Sequence, residues 1–346
     1  MTFDIGAILV QDGVTTGAVY ILLAVALVLV FTVTRIVFVP QGDFVAFSAL
    51  TLAAFEAGTL PGTVWVLAAG AALALLFDLG SAALRHDWSG VGRSLVTFGA
   101  IPAALVLAAI YLVPADAPLL WKMAVTCALI TAMAPILYRV AFQPIASASP
   151  LVLLIAAIAA HFGLNSIGLE VFGAEGVRTT GFSGDPLVFG DMVVSQQSLG
   201  VLLVSLLLVL GLYAFFTHTL RGKALLAAAY NRRGAAILGI STVSAGRTAF
   251  VLAGFIGAVS GLLIGPITTL YYDSGFILGL KGFVGAIVGG FAVYPLAAAG
   301  ALAVGLVEAF ASFWASAYRD VIVFTLIIPV LFWRSLISPH VEDEAE

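Results

Sequence analysis

Asp78 and Glu308 are carboxylates set inside long apolar runs, LALLFDLGSAAL and GLVEAFASF. A carboxylate in such surroundings must be paired, protonated or engaged with a cation. His161 and Asn165 stand one helical turn apart in the apolar stretch Leu154 to Ile167, a spacing that puts both on one helix face. These four could carry a proton or a coupling ion across an apolar interior, and the plainer alternative for each is an interhelical hydrogen bond. No catalytic constellation accompanies them. His86, His161, His218 and His340 lack metal-ligand spacing. A G-x-x-x-x-G-K-[ST] phosphate loop is missing, so nucleotide hydrolysis is not expected of this chain. The single cysteine, Cys127, lies in an apolar run and excludes an internal disulfide and a cysteine-based metal site. The expectation is therefore no catalytic residue, no metal and no cofactor bound by the chain itself.

A second set of residues reads as a contact surface. Arg221 to Arg247, RGKALLAAAYNRRGAAILGISTVSAGR, carries five of the fourteen Lys and Arg residues between two runs long enough to span a bilayer. Leu225 to Leu238 predicts one short helix ended by Gly239, with an alanine-rich face (Ala227, Ala228, Ala229, Ala235, Ala236) open to close approach by another surface. Tyr230, Asn231, Arg232, Arg233 and Gly234 form its exposed turn, and a basic linker that only fixes topology is the alternative. A third set breaks the apolar pattern. Pro40, Gln41 and Gly42 interrupt the first two runs, and Gly282, Gly285, Gly289 and Gly290 crowd another. Irregular backbone at membrane depth is tolerated only where protein or a water-filled cavity satisfies it. Pro40, Gln41, Gly42, His161, Asn165, Gly285, Gly289 and Gly290 are thus candidates for a translocation pathway, with close packing of small residues as the alternative for the glycines.

The elements that position these residues follow from hydropathy. With 62% hydrophobic and 9% charged residues in 346, and a mean hydropathy of +1.17, the chain is a polytopic membrane protein, all-α. Apolar runs fall at 13–34, 42–58, 62–82, 94–113, 118–138, 150–173, 195–217, 248–270, 279–292, 296–316 and 321–333, some too short for a full span. The expectation is 8–11 membrane segments in one domain, 1–346, with a cytoplasmic loop over 218–247. Placing that loop inside and alternating outward puts ten of the fourteen basic residues on the same side, and only Lys122, Arg178, Lys281 and Arg319 opposite. The N-terminus then lies outside and the C-terminus in the cytoplasm. MTFDIGAILVQDG has no basic n-region and does not read as a cleaved signal peptide. Residues 336–346 read as a flexible acidic tail, which supplies most of the net charge of −4.

Several stretches occur in the order of a known family. VFVPQGD (Val37 to Asp43) after a long first span is similar to the NFAHGE-type stretch of the branched-chain amino acid permease family. KGFVGAIVGGFAVYP (Lys281 to Pro295) resembles that family's K-x-F-x-A-x-x-x-GG-x-G-S-x-x-G region. Gly305, Glu308 and Ala309 match a G-x-x-E-A-like stretch, and Gly239-Ile240 closes the loop helix as in the coupling loop of ATP-binding-cassette importer permeases. The chain resembles the LivH-type subunit over residues 13–60 and about 135–334. It departs at Gln41, where the family has His, and at 82–117, where an extra helical hairpin precedes the Y-R-P-type loop Tyr138 to Pro144.

The resemblance implies an inner-membrane transport subunit rather than an enzyme, moving branched-chain or other small amino acids inward. It implies as partners a second, LivM-like permease, two cytosolic ATPase subunits that bind the ATP, and an extracytoplasmic substrate-binding protein. Urea and short-amide permeases share the subunit type. A self-contained, ion-coupled secondary transporter using Asp78 or Glu308 is the rival reading. It would require more intramembrane acid–base pairs and no structured loop.

Overall fold

A computed structural model describes residues 3–86, 88, 90–182, 186–189, 192–291 and 293–337. The tail beyond Ile337, with His340, lies outside the described residues. The fold is a helical bundle. Eight helices among the described residues are long and apolar enough to cross a membrane, and the only strands among them are a short antiparallel hairpin, Leu187–Phe189 with Met192–Val194.

The chain opens with α1 (Phe3–Thr34), followed by α2 (Gln41–Glu56) and α3 (Thr63–Arg85). Then α4 (Val91–Ser94), a π-helical stretch Leu95–Ala100 and α5 (Ile101–Tyr111) run on as one span. Next come α6 (Leu119–Leu137), extended by irregular turns to Ile145, α7 (Pro150–Phe172) and α8 (Gln196–His218). Two short helices, α9 (Leu220–Tyr230) and α10 (Arg232–Ile237), precede α11 (Thr242–Ile264), α12 (Ser274–Val288) and α13 (Tyr294–Trp314). The chain returns through α14 (Arg319–Thr325) and α15 (Ile327–Ile337). Of the eleven apolar runs, 42–58 and 279–292 thus become helices of 16 and 15 residues. At 1.5 Å per residue these reach about 24 and 22 Å, short of the ~30 Å hydrocarbon core.

The core is α1, sheathed by α8, α11, α12 and α13, with α2 and α6 on the far side of α11. Its most extensive crossing is α1 on α13. A side chain at Gly13 would begin 2.8 Å from the backbone of Leu306, and one at Gly305 would meet the backbone of Gly17. Gly13 and Gly17, four apart on α1, meet Leu302, Gly305 and Leu306 of α13 and let the two backbones touch.

The break after α1 is built from local bonding. Arg35 takes a left-handed φ of 62° and its N–H still reaches Phe31 O at 2.8 Å. Thr34 Oγ1 donates back to Val30 O and accepts from Ile36 N–H. The non-helical stretch up to Pro40 is shielded by Phe38, fully buried against Phe44, Phe142 and Phe250 with ring centroids 4.7 to 6.1 Å away. Protein thus does what water cannot at that depth.

Segment 82–117 contains the end of α3, a turn at His86 and the α4–α5 span. The hairpin formed by α3 with this span lies at the periphery against α6.

Candidate functional site

Gly17 and Gly305 lie one turn before Tyr20 and Glu308 respectively, so the close α1–α13 crossing sets those two side chains face to face. Tyr20 donates its hydroxyl to Glu308 Oε2 at 2.6 Å. Opposite, α12 brings Lys281 Nζ to 2.6 Å from Glu308 Oε1. A 3-10 turn over Ser316–Tyr318 reverses the chain after α13 and delivers Arg319 and Asp320 to the same place. Lys281 Nζ is 3.2 Å from Asp320 Oδ1, and Arg319 Nε is 3.6 Å from Glu308 Oε1 and 3.4 Å from Asp320 Oδ1. Lys281 and Glu308 are nearly buried, with side chains 4% and 11% exposed, while Arg319 and Asp320 are 44% and 39% exposed. Burial pushes the Asp320 carboxyl up, but Lys281 and Arg319 outweigh it and hold the group below the usual carboxylate range.

This charge-balanced quartet lines a vestibule of about 860 Å³ whose walls include Thr15, Arg178, Ser198, Thr269, Ser274 and Ser312. The vestibule sits where α8 begins and α11 ends, since Ser198 and Ile264 both line it. Its floor is therefore a set of fixed charges under a hydroxyl-rich wall. Lys281, which sequence reading set among the outer loop charges, is instead mid-helix in α12 and buried.

A second buried pair joins His161, singled out in the sequence, to Asp43, which was not. Asp43, in the first turn of α2, accepts from or shares a proton with His161 Nδ1 at 2.8 and 3.0 Å. Both side chains are almost wholly enclosed. His161 stacks on Phe276 at 4.9 Å between ring centroids and borders an apolar cavity of about 250 Å³, with Ile158, Leu280 and Phe283 among its walls. Asn165 lies half-buried one turn on. Here α12 serves two cavities at once: Ile277, Leu278 and Lys281 line the vestibule, Phe276, Gly279, Leu280 and Phe283 the apolar one.

The remaining candidates separate. Asp78 on α3 is ion-paired to Arg139 beyond α6, an interhelical tie away from both cavities. Neither cavity is lined by Pro40, Gln41, Gly42, Gly285, Gly289 or Gly290. Gln41 is fully buried and donates Nε2–H to Ala253 O at 3.0 Å. A side chain at Gly42 would collide with the backbone of Gly275, one at Gly285 would begin 2.7 Å from Ala301 Cβ, and one at Gly289 2.7 Å from Ala297 N. Close helix packing accounts for these three glycines, while Gly290 supplies a left-handed φ of 61° to the turn before α13.

At the opposite end of the bundle α8 runs out and α11 begins, and between them stands a knob that corrects two expectations. It is two helices, not one: Asn231 leaves helical geometry at φ −150° and ψ 99° and caps α10, its Oδ1 accepting from Gly234 N–H at 2.8 Å. Part of the alanine face also turns inward, while Ala236 stays exposed. Ala228 and Ala235, with Leu225, pack on Leu29, Val33, Ala245 and Ala249 of α1 and α11, because small residues let the knob lie flat on the bundle. What it displays instead is Tyr230, Ile237 and Leu238, 89%, 85% and 79% exposed. Gly239, at φ 81°, closes α10, with Ile240 N–H bonded to Ala235 O at 2.9 Å. Arg233 is exposed and Arg232 half-buried.

A bundle of spanning helices, with a charged vestibule at one end and a folded polar knob at the other, is a multi-pass membrane protein of the permease class. Comparison with known proteins makes the class specific. The chain belongs to the family described as branched-chain amino acid transport system / permease component, whose model matches residues 92–331. It is 31% identical over 204 residues to the high-affinity branched-chain amino acid transport system permease protein BraD of Pseudomonas aeruginosa, covering 57% of this chain and 66% of that one. Against the corresponding protein LivH of Escherichia coli and of Salmonella typhimurium it is 31% identical over 201 residues, 56% of this chain and 65% of each relative. The chain thus spans just under two thirds of the length of these curated relatives. No solved structure matches it.

Proposed function

We propose that the chain is the permease subunit of an ATP-binding-cassette importer that moves branched-chain or other small amino acids inward across the bacterial inner membrane. In this reading the vestibule is the extracytoplasmic mouth of the route and the α9–α10 knob is cytoplasmic, with the N-terminus outside and the C-terminus inside. The side assigned to the knob follows from its four basic residues, with Arg247 at the start of α11 beside it. A second permease of the LivM type, two ATPase subunits carrying all of the ATP, and an extracytoplasmic binding protein complete the transporter.

The observation that carries this reading is the display of Tyr230, Ile237 and Leu238, nearly fully exposed on a knob anchored by its own alanines. Three large apolar side chains held outside the spans on a rigid pair of helices suit the helix-in-groove mode of docking. A basic linker needs no such side chains. His161 beside the apolar cavity and Glu308 in the vestibule are the pathway candidates that fit this reading best.

The test is Ile237→Asp with Leu238→Asp. Neither residue packs on the bundle, so the membrane-inserted amount should match wild type. Fully burying such a side chain contributes about 1.5–3 kcal/mol, so co-purification of the ATPase and substrate uptake should each fall at least tenfold. Undiminished co-purification would remove the docking role from the knob.

A further inference from the structure

We propose that the vestibule floor binds a zwitterion, with Arg319 taking the α-carboxylate and Asp320 the α-ammonium of an amino acid, while Lys281 and Glu308 act beneath them as positioning residues. The proposal rests on the amino-acid permease reading above and assigns that reading a site.

The quartet holds two cations and two anions in mutual contact. A ligand bearing one charge of each sign can enter such a cluster by exchange of partners and leave its net charge unchanged. An ion of single sign would leave one quartet member uncompensated in a partly enclosed site, which is costly.

The contacts are graded in the order that exchange requires. The short bonds are the inner ones, Lys281 to Glu308 and Tyr20 to Glu308, both at 2.6 Å. The long ones belong to Arg319, at 3.4 and 3.6 Å. When Arg319 turns to a ligand, Glu308 keeps Tyr20 and Lys281, and Asp320 keeps Lys281 at 3.2 Å. No group is stranded. Arg319 and Asp320 are also the two members with substantial exposure, and both line the cavity with Arg319 Nε 3.4 Å from Asp320 Oδ1. A guanidinium accepts a carboxylate in two parallel bonds.

The surroundings suit the rest of such a molecule. Ile277, Leu278 and Phe313 give the vestibule an apolar side for an aliphatic side chain, and at about 860 Å³ it lies within the range of small-molecule sites. Because the ligand competes with ion pairs already made, binding is weak, as a site that must also release its cargo requires.

The experiment uses the full transporter reconstituted in vesicles, with Cys127→Ser to remove the native thiol and Thr269→Cys to place a reporter on the exposed vestibule wall. Labelling by a membrane-impermeant thiol reagent is timed with leucine, with leucinamide, which lacks the carboxylate, and with 4-methylpentanoate, which lacks the ammonium. Leucine should slow labelling at least threefold and each analogue less than 1.5-fold. Arg319→Gln and Asp320→Asn should each abolish the protection by leucine while leaving the unprotected rate and ATPase co-purification unchanged. Equal protection by all three compounds, or none by leucine, overturns the zwitterion site. Failure of Thr269→Cys to label at all overturns an open vestibule. Retained co-purification in those cases keeps the permease reading intact, so the two failures are distinguishable.

Discussion

Replacing Lys281 with methionine tests whether the quartet is held by charge. At 2.6 Å the Lys281–Glu308 pair has a Coulomb energy of about 6 kcal/mol at an effective dielectric of 20, most of which is offset by the desolvation of two nearly buried groups. Methionine matches the lysine stem as far as Cε and removes the ammonium, so the loss is chiefly that of an uncompensated carboxylate. Breaking one partner of a buried pair costs ~3–5 kcal/mol. The lower end applies here, because Glu308 retains the Tyr20 hydroxyl and Arg319 at 3.6 Å. Lys281→Met should therefore destabilise by about 3 kcal/mol. Adding Glu308→Gln removes the stranded charge, and the double variant should return to within about 1 kcal/mol of wild type, since isosteric replacement of a whole buried pair is often near neutral. Reversible unfolding in mixed detergent micelles measures all four corners of the cycle. If the double variant is destabilised by the sum of the two single losses, the pair has no coupling energy and the charge argument for this site is wrong.

Asp43→Ala should cost about 3 kcal/mol in the same assay by stripping His161 of its partner in an enclosed site, whereas Asp43→Asn, which keeps a hydrogen-bonding oxygen, should cost roughly half as much. Gly305→Leu forces a side chain into the backbone of Gly17 and should destabilise by more than the ~1–3 kcal/mol of ordinary overpacking. In that variant the amount of folded protein extracted from membranes should fall, and an undiminished yield would mean that α1 and α13 do not cross as closely as described.

Much of the bundle was legible because hydropathy and helix length report the same property. The long runs became spans, and the breaks at Pro40 and at the glycine-rich run before Pro295 fell where helices end. Glu308 stood out as a carboxylate in an apolar run. Its partner did not: Lys281 lies near the edge of its run, and a charge there reads as a loop residue unless the matching carboxylate 27 positions away is known to face it. Asp43 was hidden similarly. It closes a stretch notable for Pro40 and Gly42, and no local pattern links it to His161 across 118 residues. The glycines drew attention for the right physical reason, weak helical bonding and close approach, yet sequence alone does not tell a packed crossing from a lined passage. In the knob, the alanines and the large apolar residues share one short stretch. Which of them faces outward depended on the break at Asn231, where an extended residue turns the second helix by an angle that periodicity does not encode.

The two cavities have one partition between them. Because α12 gives Leu278 and Lys281 to the polar side and Leu280 and Phe283 to the apolar side, their volumes are coupled. Toward α13 this helix has no room to move, because Gly285 and Gly289 already meet Ala301 and Ala297, so the wall between the two chambers is held against that neighbour. Too short to reach both faces of the bilayer, α12 is less a pillar than a shared wall. Whatever occupies one chamber bears on the room left in the other.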